Sequence, residues 1–483
     1  MSSAGIAYLS AAEAISQFES GALRPTELLE AIIQRVEVAN PRVNAFTELW
    51  LAEARDAAAH ADARYERGDA RPLEGVVLAV KDSTPLAGKV HTMGSALLAG
   101  NVADRTHPGL QRLIDAGVVM IGRTTMPEFG EAGNCYTPLW GVTRNPWNLD
   151  YGPGGSSSGA AAALAAGMAT IADGSDIGGS SRIPASCCGV YGYKPPYGRN
   201  PNTYEGSFDS YLQYGPLART AADIALMQEI IAGVSVEDIG TLRDTVVLPR
   251  RSSDPAGWRI AYSADLGYFN VDVEVRAAFV STLDRLRALG CELVEVTLPW
   301  TEAAYDAWAV MNSIKGTAAR RVAAIPDADL TLLSDYAADM IRRGTESDPE
   351  DVARAIELHV AMYQDLGPIL ESSKVFLCPT TAVPSIPATQ SPLYTDWSIN
   401  GVPVTPIEAE AWFMTYPFNM LSQLPVLSMP IGQASNGVPI GMQVVGRSYQ
   451  DADVFEVAYA LEDQEREWPL ALPADAAMEA AHP

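Results

Sequence analysis

The sequence is short of positive charge: 33 Lys and Arg stand against 59 Asp and Glu, a formal net charge of −26 over 483 residues. A field of that sign repels phosphate backbones and anionic lipid surfaces within the Debye length, so neither nucleic acid nor a membrane is an expected partner. Long apolar runs are lacking too, and the opening "MSSAGIAYLS" has no basic-then-apolar leader pattern. The expectation is a soluble, cytoplasmic protein. Cysteine is scarce: Cys135, Cys187, Cys188, Cys291 and Cys378 are an odd set without zinc-type spacing. Buried thiols in a reducing compartment, and no metal, are therefore expected. Histidine is equally scarce. His60 falls in an exposed helix, His482 in the C-terminal tail, and His91, His107 and His359 have no motif around them. No stretch reads as a linker, so one large domain or two intimately packed ones fit, with a large buried core.

What is present has a clear periodicity. "PTELLEAIIQRVEV" repeats apolar residues at helical intervals, with Thr26 expected as its N-cap, and "LAEARDAAAHADARYERG" reads as a second helix ending at Gly68. From "LEGVVLAVKDS" the period changes. Val76 to Val80 is a continuous apolar run, as in a strand buried on both faces, and Lys81 follows it. "HPGLQRLIDAGVVMIGRTTMPEFG" predicts a helix, a turn at Gly117 and a strand from Val118 to Ile121, so the fold class is α/β. "WRIAYSADLG" and "CELVEVTLP" read as strands around a helix. Residues 300–370 read as mainly helical, with Trp300, Trp308, Met311 and Tyr363 on apolar faces. "PVLSMPIG" and "PIGMQVVG" predict two strands around a turn, followed by the helix "DADVFEVAYALEDQ".

Between these elements lie two Gly/Ser-rich loops, "GPGGSSSG" and "GSDIGGSSR", joined by a run of small residues from Ala160 to Ala166. A hydrolase needs a nucleophile, a base and donors aimed at an oxyanion. Successive N–H groups of Ile177, Gly178, Gly179 and Ser180 can supply the donors. With no histidine in a suitable motif, a lysine can act as the base if burial keeps it neutral, and Lys81 is placed for that. The alternative for Lys81 is a solvated strand end-cap.

These segments resemble the amidase signature family. "GPGGSSSGAAAALAAGMATIADGSDIGGSSRIPASCCGVYGYKPPYGR" is similar to its signature region, and "GVVLAVKD", "EFG" with "NPWN", "GPLART" and "PVLSMPIG" with "GVPIGMQVVG" also match. The resemblance implies a single domain over 1–483, with a large mixed sheet covered on both faces by helices. Within it, residues 1–70 would be N-terminal helices, 73–225 the catalytic core, and 300–415 a variable region lining the substrate pocket. It implies Ser180 as nucleophile, and Ser156, twenty-four positions earlier with a cis peptide bond, as the proton relay to Lys81. Ile177, Gly178, Gly179 and Ser180 would form the oxyanion hole. Ser157, Ser175, Asp176 and Arg182 would support the network, and Lys194 would be structural. Gly130, Gly133, Asn134 and Tyr136 would contact substrate. No cofactor is implied, and a homodimer is compatible.

Two departures stand out: Ser181 follows the nucleophile, and "GYKPPYG" replaces the commoner "GLKPTYG". Two other readings compete. Gly155-Ser156-Ser157-Ser158-Gly159 matches the G-x-S-x-G elbow of α/β-hydrolases, with Ser157 as nucleophile. The amidase component of a tRNA-dependent amidotransferase shares the signature, though the acidity disfavours that partner. The variable stretches hold Tyr136, Trp140, Tyr204, Phe208, Trp308, Met311, Trp397, Trp412, Phe413 and Met414, without an obvious arginine clamp. The expected substrate is a small hydrophobic or aryl amide, with a carbamate as the alternative.

Overall fold

The computed structural model describes residues 3–315 and 317–462; His482 and the end of the last expected helix lie outside the described residues. A single sheet of 11 strands runs through the molecule. In chain order its strands are β1 (Phe46–Leu49), β2 (Val77–Lys81), β3 (Val119–Thr124), β4 (Ile171–Asp176), β5 (Tyr191–Lys194) and β6 (Gln213–Ala218). They continue as β7 (Arg259–Tyr262), β8 (Glu292–Glu295), β9 (Val375–Pro379), β10 (Val426–Gln433) and β11 (Pro439–Val445). The spatial order is β1-β3-β2-β4-β6-β5-β10-β11-β9-β7-β8. The sheet is mixed: β2 runs parallel to β3 and β4, whereas β4–β6, β6–β5 and β10–β11 are antiparallel.

Helices cover both faces. Along β2, Leu78 and Val80 join the core that holds Leu110, Leu113 and Ile224, while Val77 and Ala79 join the one that holds Leu28, Ile32 and Ala160 to Ala163. Both faces are apolar because both are buried, which is why β2 reads as an unbroken run rather than an alternation. The small-residue helix is fully buried because it must pass close to the backbone. A Cβ on Gly159 would lie 2.2 Å from the carbonyl oxygen of Ala45.

Three boundaries differ from the sequence expectation. The helix α1 (Pro25–Val43) has Arg24 as its N-cap, and Thr26 is already inside it. Pro25 presets helical φ at the first position. Thr26 Oγ1 donates to Asp62 of α2 (Leu51–Arg67) at 2.8 Å, so it ties two helices together instead of capping one. Lys81 closes β2 rather than following it, and β3 extends to Thr124 because Lys81 and Thr124 still pair. The α2 helix ends as expected, with Gly68 in the left-handed region at φ 73. Tyr363 is 44% exposed and not part of an apolar core face.

Candidate active site

The C-terminal ends of β2 and β4 meet the two Gly/Ser loops. Lys81 follows Val77 and Ala79 on one face of β2, the face covered by α3 (Ser158–Ala165) and the loop before it. Its side chain is wholly buried. Nζ lies 2.9 Å from Ser156 Oγ and 2.9 Å from Ser175 Oγ, and its backbone N–H donates to Asp173 Oδ1 at 2.6 Å. Burial pushes the Lys81 pKa down to about 7, against the opposing pull of Asp173 and Asp176. The solvated end-cap reading does not describe this lysine.

Ser156 follows a cis peptide bond from Gly155. Gly155 passes so close to the neighbouring loop that a Cβ would lie 2.3 Å from the Ala132 carbonyl oxygen. Ser156, Ser175 and Ser180 all line one cavity of about 630 Å³. Ser157, the next residue, does not line it: it is fully buried, its Oγ has no hydrogen-bond partner among the described residues, and its N–H donates to the Ser180 carbonyl at 2.9 Å. Its part in the site is therefore made by its backbone, not by the hydroxyl network expected from the sequence. No strand leads into Gly155, and His359 bonds Tyr211 and Ala355, so the G-x-S-x-G elbow is not formed.

The loop Ile177 to Ser180 is held by its carbonyls. Trp308 Nε1 donates to the Ile177 oxygen at 3.1 Å, and Thr415 Oγ1 donates to that of Gly178. Carbonyl and following N–H share one rigid plane and point opposite ways, so the first bond turns the Gly178 N–H away from Trp308. The N–H groups of Ile177, Gly178 and Ser180 meet no acceptor among the described residues, and all three residues line the cavity. Gly179 departs from the expectation. Its N–H donates to Asp176 Oδ1 at 2.9 Å, so this donor braces the loop instead of facing an oxyanion. Its φ of +127, and a Cβ position 1.9 Å from Thr415 Oγ1, require glycine there.

Asp176 and Arg182 form a buried bidentate pair at 3.0 and 2.9 Å. Although burial raises the Asp176 pKa, Arg182 and Asn419 outweigh it and hold the carboxyl down at about 2. Arg182 also donates to Gln443 Oε1 at 2.6 Å and to the Thr415 carbonyl at 3.0 Å. Thr415, Asn419 and Gln443 were not foreseen. They lie more than 230 positions from the loop they brace, and only the sheet order brings them there. Ser181, the unusual residue after Ser180, is fully buried with its Oγ on the Ser175 carbonyl at 3.3 Å, and it does not line the cavity.

Of the expected substrate contacts, Gly130 and Gly133 line the cavity, whereas Asn134 and Tyr136 do not. Asn134 is buried, with Nδ2 donating to the carbonyls of Pro387, Ala388 and Gln390 at 3.0 to 3.3 Å. Tyr136 turns to Asp335 through its hydroxyl and packs edge-on against Tyr336. The Tyr136 hydroxyl and the Asn134 amide nitrogen find partners in neighbouring segments, while Asn134 Oδ1 has none among the described residues, and the cavity is left to the glycines of the loop.

The 300–415 region does supply a wall, but from a short selection of residues. Of the aromatic and methionine inventory, Trp308 and Phe413 line the cavity, joined by the unforeseen Tyr305. Trp412 and Met414 are buried in the core, Phe208 is 81% exposed, and Met311 borders a separate hollow of about 250 Å³. Arginines are present after all: Arg105, Arg320 and Arg321 line the cavity, with Arg105 at 3.4 Å from Glu205.

The comparisons agree with this architecture. The Amidase family profile matches residues 27–455. An acylamidase of Rhodococcus erythropolis is 33% identical over 479 residues, covering 98% of this chain and 99% of its own. A component of the glutamyl-tRNA(Gln) amidotransferase from Brachyspira hyodysenteriae is 32% identical, covering 90% and 94%. The crystal structure of a bacterial aryl acylamidase, described as an amidase signature enzyme, is similar with a TM-score of 0.86 at 28% identity, covering 94% of this chain and 96% of the other. The chain belongs to the amidase signature family. It is a hydrolase acting on carbon–nitrogen bonds of linear amides.

Proposed function

We propose that the enzyme cleaves small amides with a hydrophobic or aryl portion through an acyl-enzyme on Ser180. The observation that carries this reading is the fully buried Lys81, 2.9 Å from the Oγ of Ser156, a serine that lines the same cavity as Ser180. Neutral Lys81 draws a proton through Ser156 from Ser180, whose oxygen attacks the carbonyl. The oxyanion develops against the N–H groups of Ile177, Gly178 and Ser180. The relay then runs backwards and protonates the leaving amine, and water repeats the attack on the acyl-enzyme. The aromatic wall of Tyr305, Trp308 and Phe413 favours a flat apolar group beside the oxyanion loop. The likeness to an acylamidase and to an aryl acylamidase structure supports the same substrate class.

The test is release of chromogenic amine from a p-nitroanilide and from a carbamate of the same amine, with the parent enzyme and with Ser180→Ala. The expected result is turnover of the anilide that vanishes in the variant. Faster turnover of the carbamate would make the enzyme a urethane hydrolase with the same relay. Turnover that survives Ser180→Ala would overturn the proposal.

A further inference from the structure

The loop that carries Gly130 also places a carboxyl group in the cavity wall. A Cβ on Gly130 would lie 3.3 Å from Ser156 Oγ, so Glu131 is one residue away from the proposed relay. Glu131 lines the cavity and is partly exposed to it. Asn312 Nδ2 donates to its Oε2 at 3.1 Å, and Oε1 has no partner among the described residues. The neighbouring carboxylates are balanced: Glu410 meets Arg343 at 2.9 Å, and Asp209 lies 3.6 Å from Lys315. Glu131 has no such cation among the described residues. Burial, with Asp209 and Glu410 adding repulsion, pushes its carboxyl up to about 7. The same cavity wall holds Tyr305, Trp308 and Phe413, with the Tyr305 and Trp308 rings 5.6 Å apart and the Trp308 and Phe413 rings 6.5 Å apart.

An enclosed carboxylate without a counter-charge, beside aromatic rings that attract cations through their quadrupoles, is complementary to an ammonium group. We infer that Glu131, oriented by Asn312, receives an ammonium group of the substrate, so that the preferred substrates are amides bearing a free amine in addition to an apolar portion. Of the cavity-wall arginines, Arg105 and Arg321 face Glu205, and none of the three, Arg320 included, forms an ion pair with Glu131 among the described residues. This inference rests on the reading of the cavity as the amide-cleaving site.

Two series of amides test it, one with the ammonium on the acyl fragment and one with it on the amine fragment, each member paired with an isostere whose ammonium is replaced by methyl. In at least one series kcat/KM favours the ammonium member by about tenfold or more, and Glu131→Gln brings that ratio close to one while Glu131→Asp retains part of it. A ratio near one in both series, or a preference unchanged in Glu131→Gln, overturns the inference. A readout that needs no variant is competition against a methyl isostere: hexylammonium inhibits about tenfold more tightly than 1-hexanol, and equal inhibition contradicts the site. The isosteres keep the two readings apart. If the parent enzyme cleaves them and Ser180→Ala does not, the amidase reading stands whatever Glu131 does; if neither enzyme cleaves any amide, the amidase reading itself has failed.

Discussion

Two lysines, Lys81 and Lys194, end two strands of the same sheet, and both are completely buried. Burial pushes both down to about 7, helped at Lys194 by the nearby Arg182. Their partners differ. Among the described residues Lys194 Nζ faces only acceptors, the carbonyls of Pro195, Ser422 and Leu424 at 3.4, 3.3 and 2.7 Å. Lys81 faces two serine hydroxyls, which donate as well as accept, and both serines line the cavity. A low lysine pKa is therefore insufficient to mark a base. A carbonyl cage holds the amine as a donor, whereas a hydroxyl offers it a proton to take. Position in the sheet makes both lysines available for burial, and only the loops around them separate a brace from a base.

Removing each lysine tests that distinction most strongly. Lys81→Ala is expected to lower kcat/KM by about 10,000-fold, as loss of a triad member does elsewhere, with an unchanged circular dichroism spectrum. Lys194→Met leaves the Leu424 carbonyl without its donor, while the Ser422 carbonyl keeps the Tyr197 N–H, and should lower unfolding stability by about 1 to 3 kcal/mol. Its folded molecules should keep most of their activity. If Lys194→Met abolished turnover in a fully folded protein, the two lysines would not differ as described.

The next effect concerns the loop Ile177 to Ser180. Gly179→Ala would put its Cβ 1.9 Å from Thr415 Oγ1 at a φ of +127, displacing the neighbouring donors. A loss of about 100- to 1,000-fold in kcat is expected, the scale of one oxyanion donor, and steady-state kinetics on a p-nitrophenyl ester would measure it.

Acidity gives a smaller and graded effect. In the proposed mechanism the active form of Lys81 is neutral, so kcat/KM should rise about tenfold per pH unit below the lysine pKa of about 7 and level off above it. A rate that falls across that range would assign the limb to a different group. Smallest of all is Ser175→Ala, which removes one of the two hydroxyls on Lys81. It should slow turnover by about tenfold at most and move the pH limb, leaving KM nearly unchanged.

Much of the site could be read from the chain because its parts are local. Lys81 stands at the end of an apolar run, and the glycines around Ser156 and Ser180 have no purpose in an ordinary strand or helix. The departures arise where a side chain answers to a distant neighbour. Asn134 turns to carbonyls near 388, and Tyr136 to Asp335, so neither reaches the cavity. Gly179 is bonded by Asp176 only because the loop doubles back over three residues. Thr26 fits a cap by sequence, but Pro25 begins the helix earlier and Asp62 engages the hydroxyl. The cavity wall from Tyr305, Arg321 and Phe413 follows from helix placement over the sheet, which periodicity does not encode.

The most direct test of the account is to quench the reaction of the enzyme with an activated p-nitrophenyl ester within milliseconds and locate the acyl group by peptide mass mapping. The account predicts an acyl adduct on Ser180 that is absent in Ser180→Ala. An adduct on Ser157 or Ser181, or the same adduct yield in the variant, would contradict it.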